Sequence, residues 1–400
     1  MLEIEECLER MLSEIEPQKL TEVVSILDCV DRVLARSVVA DKMVPPFPKS
    51  AMDGYAVKAE DIADAAKEKP VVLRVAGELL AGDYAEIPYE KNTAIRVMTG
   101  SYIPEGFDAV IRQEDTDYGQ ETVQIYAAVP AFANYCKVGE DIKKGDVVIR
   151  ENTRLNAVHA GLLASIGVTE VEVYQPAKIA ILSTGTELVE AGMPLTPGKI
   201  YNSIAYTLAT AVKSQGLSIV AMETCADEET LLSEKIKHCL ESADLLITTG
   251  AVSVGKKDVI PAVLEGLGAK ELFRRANIQP GTPTMASALD GKVILSLSGN
   301  PYAAIANFEI YFWDIMAKMM HSATYRVRTE EAELSCEYQK TNKLRRLIRA
   351  YAEGGKVIIP TQIHASSVIQ NLTECNCFID LEAGRSVNAG DRVRVRYFKQ

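Results

Sequence analysis

The run Lys178-Ile179-Ala180-Ile181-Leu182-Ser183-Thr184-Gly185-Thr186-Glu187 decides the fold. Its apolar part is of strand length, has no polar alternation, and ends in small polar residues and a glycine. That is the pattern of a strand buried on both faces. The same texture returns at 218–222, 245–248 and 293–297, with helical segments around 203–214, 228–240, 259–264 and 302–320. Apolar strands alternating with helices predict a doubly wound, mostly parallel α/β sheet domain, placed at residues 177–322.

Working outward, the remainder reads as smaller modules of a multidomain α/β plus β chain. Leu8, Met11, Leu12 and Ile15 recur at helical spacing, and a second short helix is expected after Thr21, with Glu22 in its first turn. Residues 1–44 and 140–176, including a helix at 157–165, form a discontinuous helical/linker domain in this reading. Between them, Val44-Pro45-Pro46-Phe47-Pro48 cannot be helix interior or central strand, and 45–139 reads as an inserted β-rich domain. Its strands are expected at 71–75, 94–98, 109–111 and 123–126, with a short helix near 61–67. Residues 323–400 return to short strands (332–338, 347–352, 357–359, 393–397) and predict a C-terminal small β-barrel-like domain.

Composition narrows the class. The 400 residues carry 43 Lys plus Arg against 55 Asp plus Glu, a net charge of −12, which argues against nucleic acid or an anionic membrane as partner. Eight scattered cysteines with no CxxC make a structural zinc site improbable and suit a reduced, cytoplasmic protein. The most apolar long stretch, 302–320, contains Glu309, Asp314 and Lys318, so a buried helix is expected there rather than a membrane span.

Ligands of open parallel sheets bind beyond the carboxyl ends of the strands. Three predicted strands end in loops of small, polar or glycine residues: Ser183-Thr184-Gly185-Thr186-Glu187, Thr248-Thr249-Gly250-Ala251-Val252-Ser253-Val254-Gly255 and Ser296-Leu297-Ser298-Gly299-Asn300-Pro301. Each opens a helix, whose N-terminus favours an anion, so together they read as a cradle for a phosphorylated ligand. Gly250 to Lys257 nearly spells a P-loop, but Lys257 stands where Ser or Thr must ligate Mg²⁺, which makes an NTPase the weakest reading. Glu187, Asp227 and Asp258 lie near these loops and are candidates to hold Mg²⁺ jointly with phosphate, while Asp53 lies in the proline-rich loop.

Several blocks in order resemble one family. Pro45-Pro46-Phe47-Pro48-Lys49-Ser50-Ala51-Met52-Asp53-Gly54-Tyr55 is similar to the signature of molybdopterin molybdenumtransferases, the bacterial counterparts of the gephyrin E-domain. Arg96-Val97-Met98-Thr99-Gly100, Gly139-Glu140-Asp141-Ile142, Tyr201-Asn202-Ser203, Pro280-Gly281-Thr282-Pro283 and Gly299-Asn300-Pro301 continue the resemblance over nearly the whole chain.

The resemblance implies Mg²⁺-dependent transfer of molybdate into adenylylated molybdopterin with release of AMP, by a homodimer whose site lies between the α/β domain of one subunit and the β module of the other. It implies a separate molybdopterin adenylyltransferase upstream. Asp53, Thr99, Glu187, Asp227 and Asp258 fall on positions linked to activity. Ser183, Thr184, Gly185, Asn202, Gly250, Ser253, Gly255, Arg275, Pro280, Pro283, Ser298, Gly299, Asn300 and Pro301 fall on the ligand cradle. The family typically has lysines before and within Pro-Gly-Lys-Pro; here Arg275 keeps a positive charge, but Gln279 and Thr282 do not. At least one of Lys256 and Lys257, on a neighbouring loop, is expected to take the role of the missing lysines. A different class, a molybdopterin- or cofactor-binding paralogue acting as carrier or regulator, is the alternative.

Overall fold

The computed structural model describes residues 1–252, 259–360 and 365–399. Its helices are α1 (Ile4–Glu14), α2 (Ala157–Ser165), α3 (Ser203–Ser214), α4 (Glu229–Ser242), α5 (Ile260–Gly266) and α6 (Pro301–Met319).

The four apolar runs become strands Ser218–Cys225, Lys178–Thr184, Leu245–Thr249 and Lys292–Leu297, adjacent in that order and all parallel. Two further strands, Met285–Leu289 and Lys270–Arg274, extend the sheet antiparallel. The first of these pairs with Lys292–Leu297 through Asp290-Gly291, where φ is 51° and 75°. Two consecutive left-handed residues suit a tight hairpin, and Asp-Gly is a sequence that tolerates it. One face buries Leu208 of α3 and Phe308, Phe312 and Trp313 of α6; the other buries Leu232 and Ile236 of α4 and Leu264 of α5. The sheet is therefore doubly wound and mostly parallel, as expected.

Helix α1 packs on the α/β layer and not among the linker strands. Ile4, Cys7 and Met11 form one stripe at helical spacing and join the core cluster that holds α6. The helix expected after Thr21 is instead a strand, Thr21–Ser25, antiparallel to Glu170–Tyr174 with Thr21 opposite Tyr174. Val23 and Val24 are β-branched, and the partner strand supplies a long-range pairing that outweighs local helix signals. The short helix expected near 61–67 is one 3₁₀ turn, Ala59–Ile62, whose first N–H donates to Asp108 Oδ1 at 2.8 Å.

In the inserted region, strands Ala109–Arg112, Gly54–Val57, Thr93–Val97, Val71–Leu79 and Thr122–Ile125 form one sheet in that order. At the C-terminus, Arg345–Glu353, Lys356–Ile358, Thr329–Leu334, Arg392–Tyr397 and Cys377–Leu381 follow one another. The last also pairs with the first, which closes a five-strand barrel. A short strand from the α/β domain, Ile278–Gln279, adds to Arg345–Glu353 and ties the two domains together. No helix among the described residues is long and apolar enough to cross a membrane.

Candidate functional site

The three strand-end loops meet around a cleft of about 410 Å³, within the size range of small-molecule sites. Of the residues singled out from sequence, Thr184, Gly185, Glu187, Asn202, Asp227, Gly250, Pro283, Ser298, Gly299, Asn300 and Pro301 all line it.

Close backbone approach shapes the floor. Gly250 has φ of 93°, and a Cβ there would lie 2.3 Å from the Thr184 carbonyl oxygen, so only glycine fits where two strands end side by side. Its N–H donates to the Leu297 carbonyl at 3.0 Å, which fixes the middle loop to the third. Ser183 lies beneath this floor. Its hydroxyl donates to Asn202 Oδ1 at 3.3 Å and accepts from Thr249 Oγ1 at 3.0 Å. Asn202 Oδ1 also accepts the Ala205 N–H at 3.3 Å and so caps α3, while its Nδ2 donates to Thr224 Oγ1 at 3.2 Å. Ser183 therefore orients the helix cap and does not face the ligand space. Thr249, which also lines the cleft, follows Thr248 at the strand end and was legible as part of the loop. Leu188, Ile200 and Tyr201 form an apolar wall that the polar pattern of the loops did not signal.

Among the described residues, charge in the cleft is one-sided. Among the described lining residues Glu187 and Asp227 are the ionisable carboxylates, and no Lys, Arg or His is present. An anionic ligand there would meet, among the described residues, helix N-termini, hydroxyls and backbone N–H groups beside two carboxylates. That arrangement suits a hard divalent cation shared between carboxylates and phosphate, so the donor set fits Mg²⁺. Among the described residues no group of three or more His, Cys, Asp or Glu side chains forms a closed metal site.

A second cavity of about 390 Å³ adjoins the first and shares Pro283, Ser298 and Asn300 with it. Its other walls include Gln279, Pro280 and Thr282, together with Arg346 and Ser366 of the C-terminal domain. The Ser366 carbonyl accepts the Tyr302 N–H at 2.9 Å, which docks the barrel loop on the first turn of α6.

Asp53 and Thr99 are brought together, but in the inserted domain and outside both cavities. Asp53 Oδ1 accepts the Thr99 N–H at 2.7 Å and its hydroxyl at 2.8 Å, and these bonds hold the carboxyl below its usual pKa. Arg275 is exposed, with φ of 73°, and lines neither cavity. Ser253, Gly255, Asp258, Lys256 and Lys257 lie outside the described residues.

Residues 2–167 match the MoeA N-terminal region (domain I and II), 180–318 a domain described as a probable molybdopterin binding domain, and 331–398 the MoeA C-terminal region (domain IV). A molybdopterin molybdenumtransferase of Bacillus subtilis is 34% identical over 399 residues, covering 98% of this chain and 93% of that protein. One from Haemophilus influenzae is 31% identical, covering 100% and 99%. Among solved structures, the molybdopterin biosynthesis MoeA protein of Pyrococcus horikoshii superposes with a TM-score of 0.87 at 27% identity, covering 100% of both chains.

Proposed function

The chain belongs to the molybdopterin molybdenumtransferase family, and from that premise we propose that it acts in molybdenum cofactor biosynthesis as a transferase that passes molybdate to adenylylated molybdopterin with release of AMP. The observation that carries this reading is the convergence of the three Ser/Thr/Gly loops on one anion-favouring cleft, inside the segment that matches the molybdopterin binding domain. The hydroxyls and the N-termini of α3 and α6 bind the pterin phosphate. Glu187 and Asp227 are the residues that would hold Mg²⁺, which when bound neutralises charge at a diphosphate. Molybdate is tetrahedral and anionic, so donors suited to phosphate suit it also.

Purified protein given adenylylated molybdopterin, Mg²⁺ and molybdate should release AMP and yield cofactor that activates a molybdenum-free apoenzyme. Tight pterin binding without AMP release would contradict the transferase reading. The same reading takes the protein as cytoplasmic and its substrate as the product of a separate adenylyltransferase.

Surface chemistry supports a dimer in this reading. Val23, Leu27 and Val158 of the linker region are 65%, 87% and 77% exposed, a cost in water that a second copy removes. An isologous two-fold dimer is the commonest closed arrangement. In it, the partner copy would bring Asp53 and Thr99 to a cleft that their own subunit does not place them in. Light scattering at micromolar concentration should return twice the 43.7 kDa chain mass. A monomer would remove this role for Asp53.

A further inference from the structure

Asn307 lies in the interior of α6, about two turns beyond Asn300 and Pro301 at the cleft. Asparagine disfavours helix interiors, and this one is fully buried. Its Nδ2 donates to the Ala303 carbonyl at 2.9 Å and to the Pro280 carbonyl at 3.1 Å. Both partners are carbonyl oxygens, which only accept, so the amide cannot be turned round. Its Oδ1 is left buried with no donor among the described residues. A poor helix former with a half-satisfied amide weakens α6 rather than stabilising it. What it adds is the bond to Pro280, across 27 positions of the chain. We infer that Asn307 is a positioning residue for the transfer reaction, setting where the 279–283 loop stands against the ligand cleft. The inference rests on the transferase reading above and adds to it a residue that lines neither cavity.

Loop and helix meet closely at this point. Gly281 has φ of 90°, and a Cβ there would lie 1.8 Å from Asn307 Nδ2 and 3.2 Å from the Ala303 carbonyl oxygen. Elsewhere the loop is braced by its own bonds. The Thr282 hydroxyl donates to the Ile278 carbonyl at 2.6 Å, and the Thr284 hydroxyl to the Gly281 carbonyl at 2.7 Å. The N–H groups of Arg275 and Ala276 donate to the carbonyls of Thr284 and Thr282 at 2.9 and 3.1 Å. A loop braced in this way moves as a unit, so its tether at Pro280 governs its placement. Pro283 lines the first cleft, while Pro280, Gly281 and Thr282 line the adjoining cavity. One buried bond thus places walls of both against α6, whose first turn is itself part of the cleft.

Removing the amide should cost the fold little. Within α6 the Ala303 carbonyl keeps the helix N–H of residue 307, and the unpaired Oδ1 goes with the side chain. Pro280 borders a cavity where water can replace the lost donor. Displaced walls, by contrast, act on the reaction, since a shift of about 1 Å can cost up to about a hundredfold in rate. Stability and turnover should therefore part company.

The test uses the full chain with Asn307→Leu, which keeps the branching of the side chain and removes its polar atoms. Three quantities are read against wild type: the unfolding midpoint, amide exchange over residues 275–284, and the kcat and KM of AMP release. The midpoint should stay within about 2 °C, and exchange in the loop segment should rise about tenfold for the one lost bond. At saturating molybdate, kcat should fall about tenfold to a hundredfold, with the KM for adenylylated molybdopterin within about threefold. Unchanged exchange overturns the tether, and unchanged kcat overturns the positioning role. A loss of activity that only tracks a lowered midpoint overturns it too, because that is what a purely structural residue gives. If Asn307→Leu does not fold, Asn307→Ala is read by the same criteria. A wild type that releases no AMP overturns the transferase reading alone. In that case raised exchange at an unaltered midpoint still supports the tether, and unchanged exchange overturns it.

Discussion

Asp227→Asn is expected to abolish most turnover while leaving the fold intact. Asp227 lines the cleft just before α4, at the carboxyl edge of the sheet, where it shares the ligand space with Glu187. The substitution removes one negative charge and nearly preserves shape, so packing against the strands is kept. What it removes is half of the carboxylate pair that would hold Mg²⁺ against a bound diphosphate. Loss of one such electrostatic contribution typically costs about a hundredfold to a thousandfold in kcat. AMP release at saturating substrate should fall by that order, and raised Mg²⁺ should recover part of it. Glu187→Gln should behave alike, and the unfolding midpoints of both variants should match wild type. Wild-type turnover in either variant would dismiss the carboxylate pair as the metal site. Asp53→Asn differs in kind, because that carboxylate holds the Thr99 N–H and hydroxyl and would act from the partner subunit.

The strands that build the cleft were legible because their runs are apolar without alternation, and burial on both faces demands that. Helix α3 was legible to the residue, and in the structure Asn202 marks its start with a capping side chain. What escaped depends on distant partners. The strand Thr21–Ser25 exists through Glu170–Tyr174, and no local window contains that pairing. The antiparallel strands Lys270–Arg274 and Met285–Leu289 were overlooked, although Asp290-Gly291 carried a hairpin signal for the second. Within the site, loop composition identified most of the cleft lining. It did not separate Ser183, under the floor, from Thr184 on it, since alternation along a strand decides which faces the ligand. Arg346, which lines the adjoining cavity, did not stand out because Arg345-Arg346 reads as solvated charge, and only the fold pairs the first with Asp380 and leaves the second beside a cavity.

Glu309→Gln should flatten the pH dependence of stability between pH 5 and pH 8. The carboxylate sits in the middle of α6, where it accepts the Trp313 indole N–H at 2.9 Å and the Lys399 backbone N–H at 3.2 Å. Burial pushes its pKa up to about 7 from an ordinary value of 4.5, and the two hydrogen bonds and the Lys399 charge only partly oppose this. The ammonium of Lys399 is engaged by the carbonyls of Thr324 and Arg326, and its own pKa is lowered, first by burial and then by Arg154. Because the folded pKa of Glu309 is raised, its favourable contribution is complete below pH 4.5. It declines as the unfolded chain ionises and is gone above pH 7. For a shift of that size the decline from pH 5 to pH 8 is about 2.5 kcal/mol. The amide introduced by Glu309→Gln cannot ionise, so whatever constant offset it brings, the difference between variant and wild type should change by that amount across the window. Other titrating groups, such as the Asp380 carboxyl held down by Arg345 and Arg396, are common to both proteins and cancel in the difference. Isothermal denaturation of both proteins at pH 5 and pH 8 reads it directly. Parallel profiles would show that Glu309 is ionised in the folded protein across this range, and that Trp313 and the Lys399 amide suffice to hold a buried carboxylate.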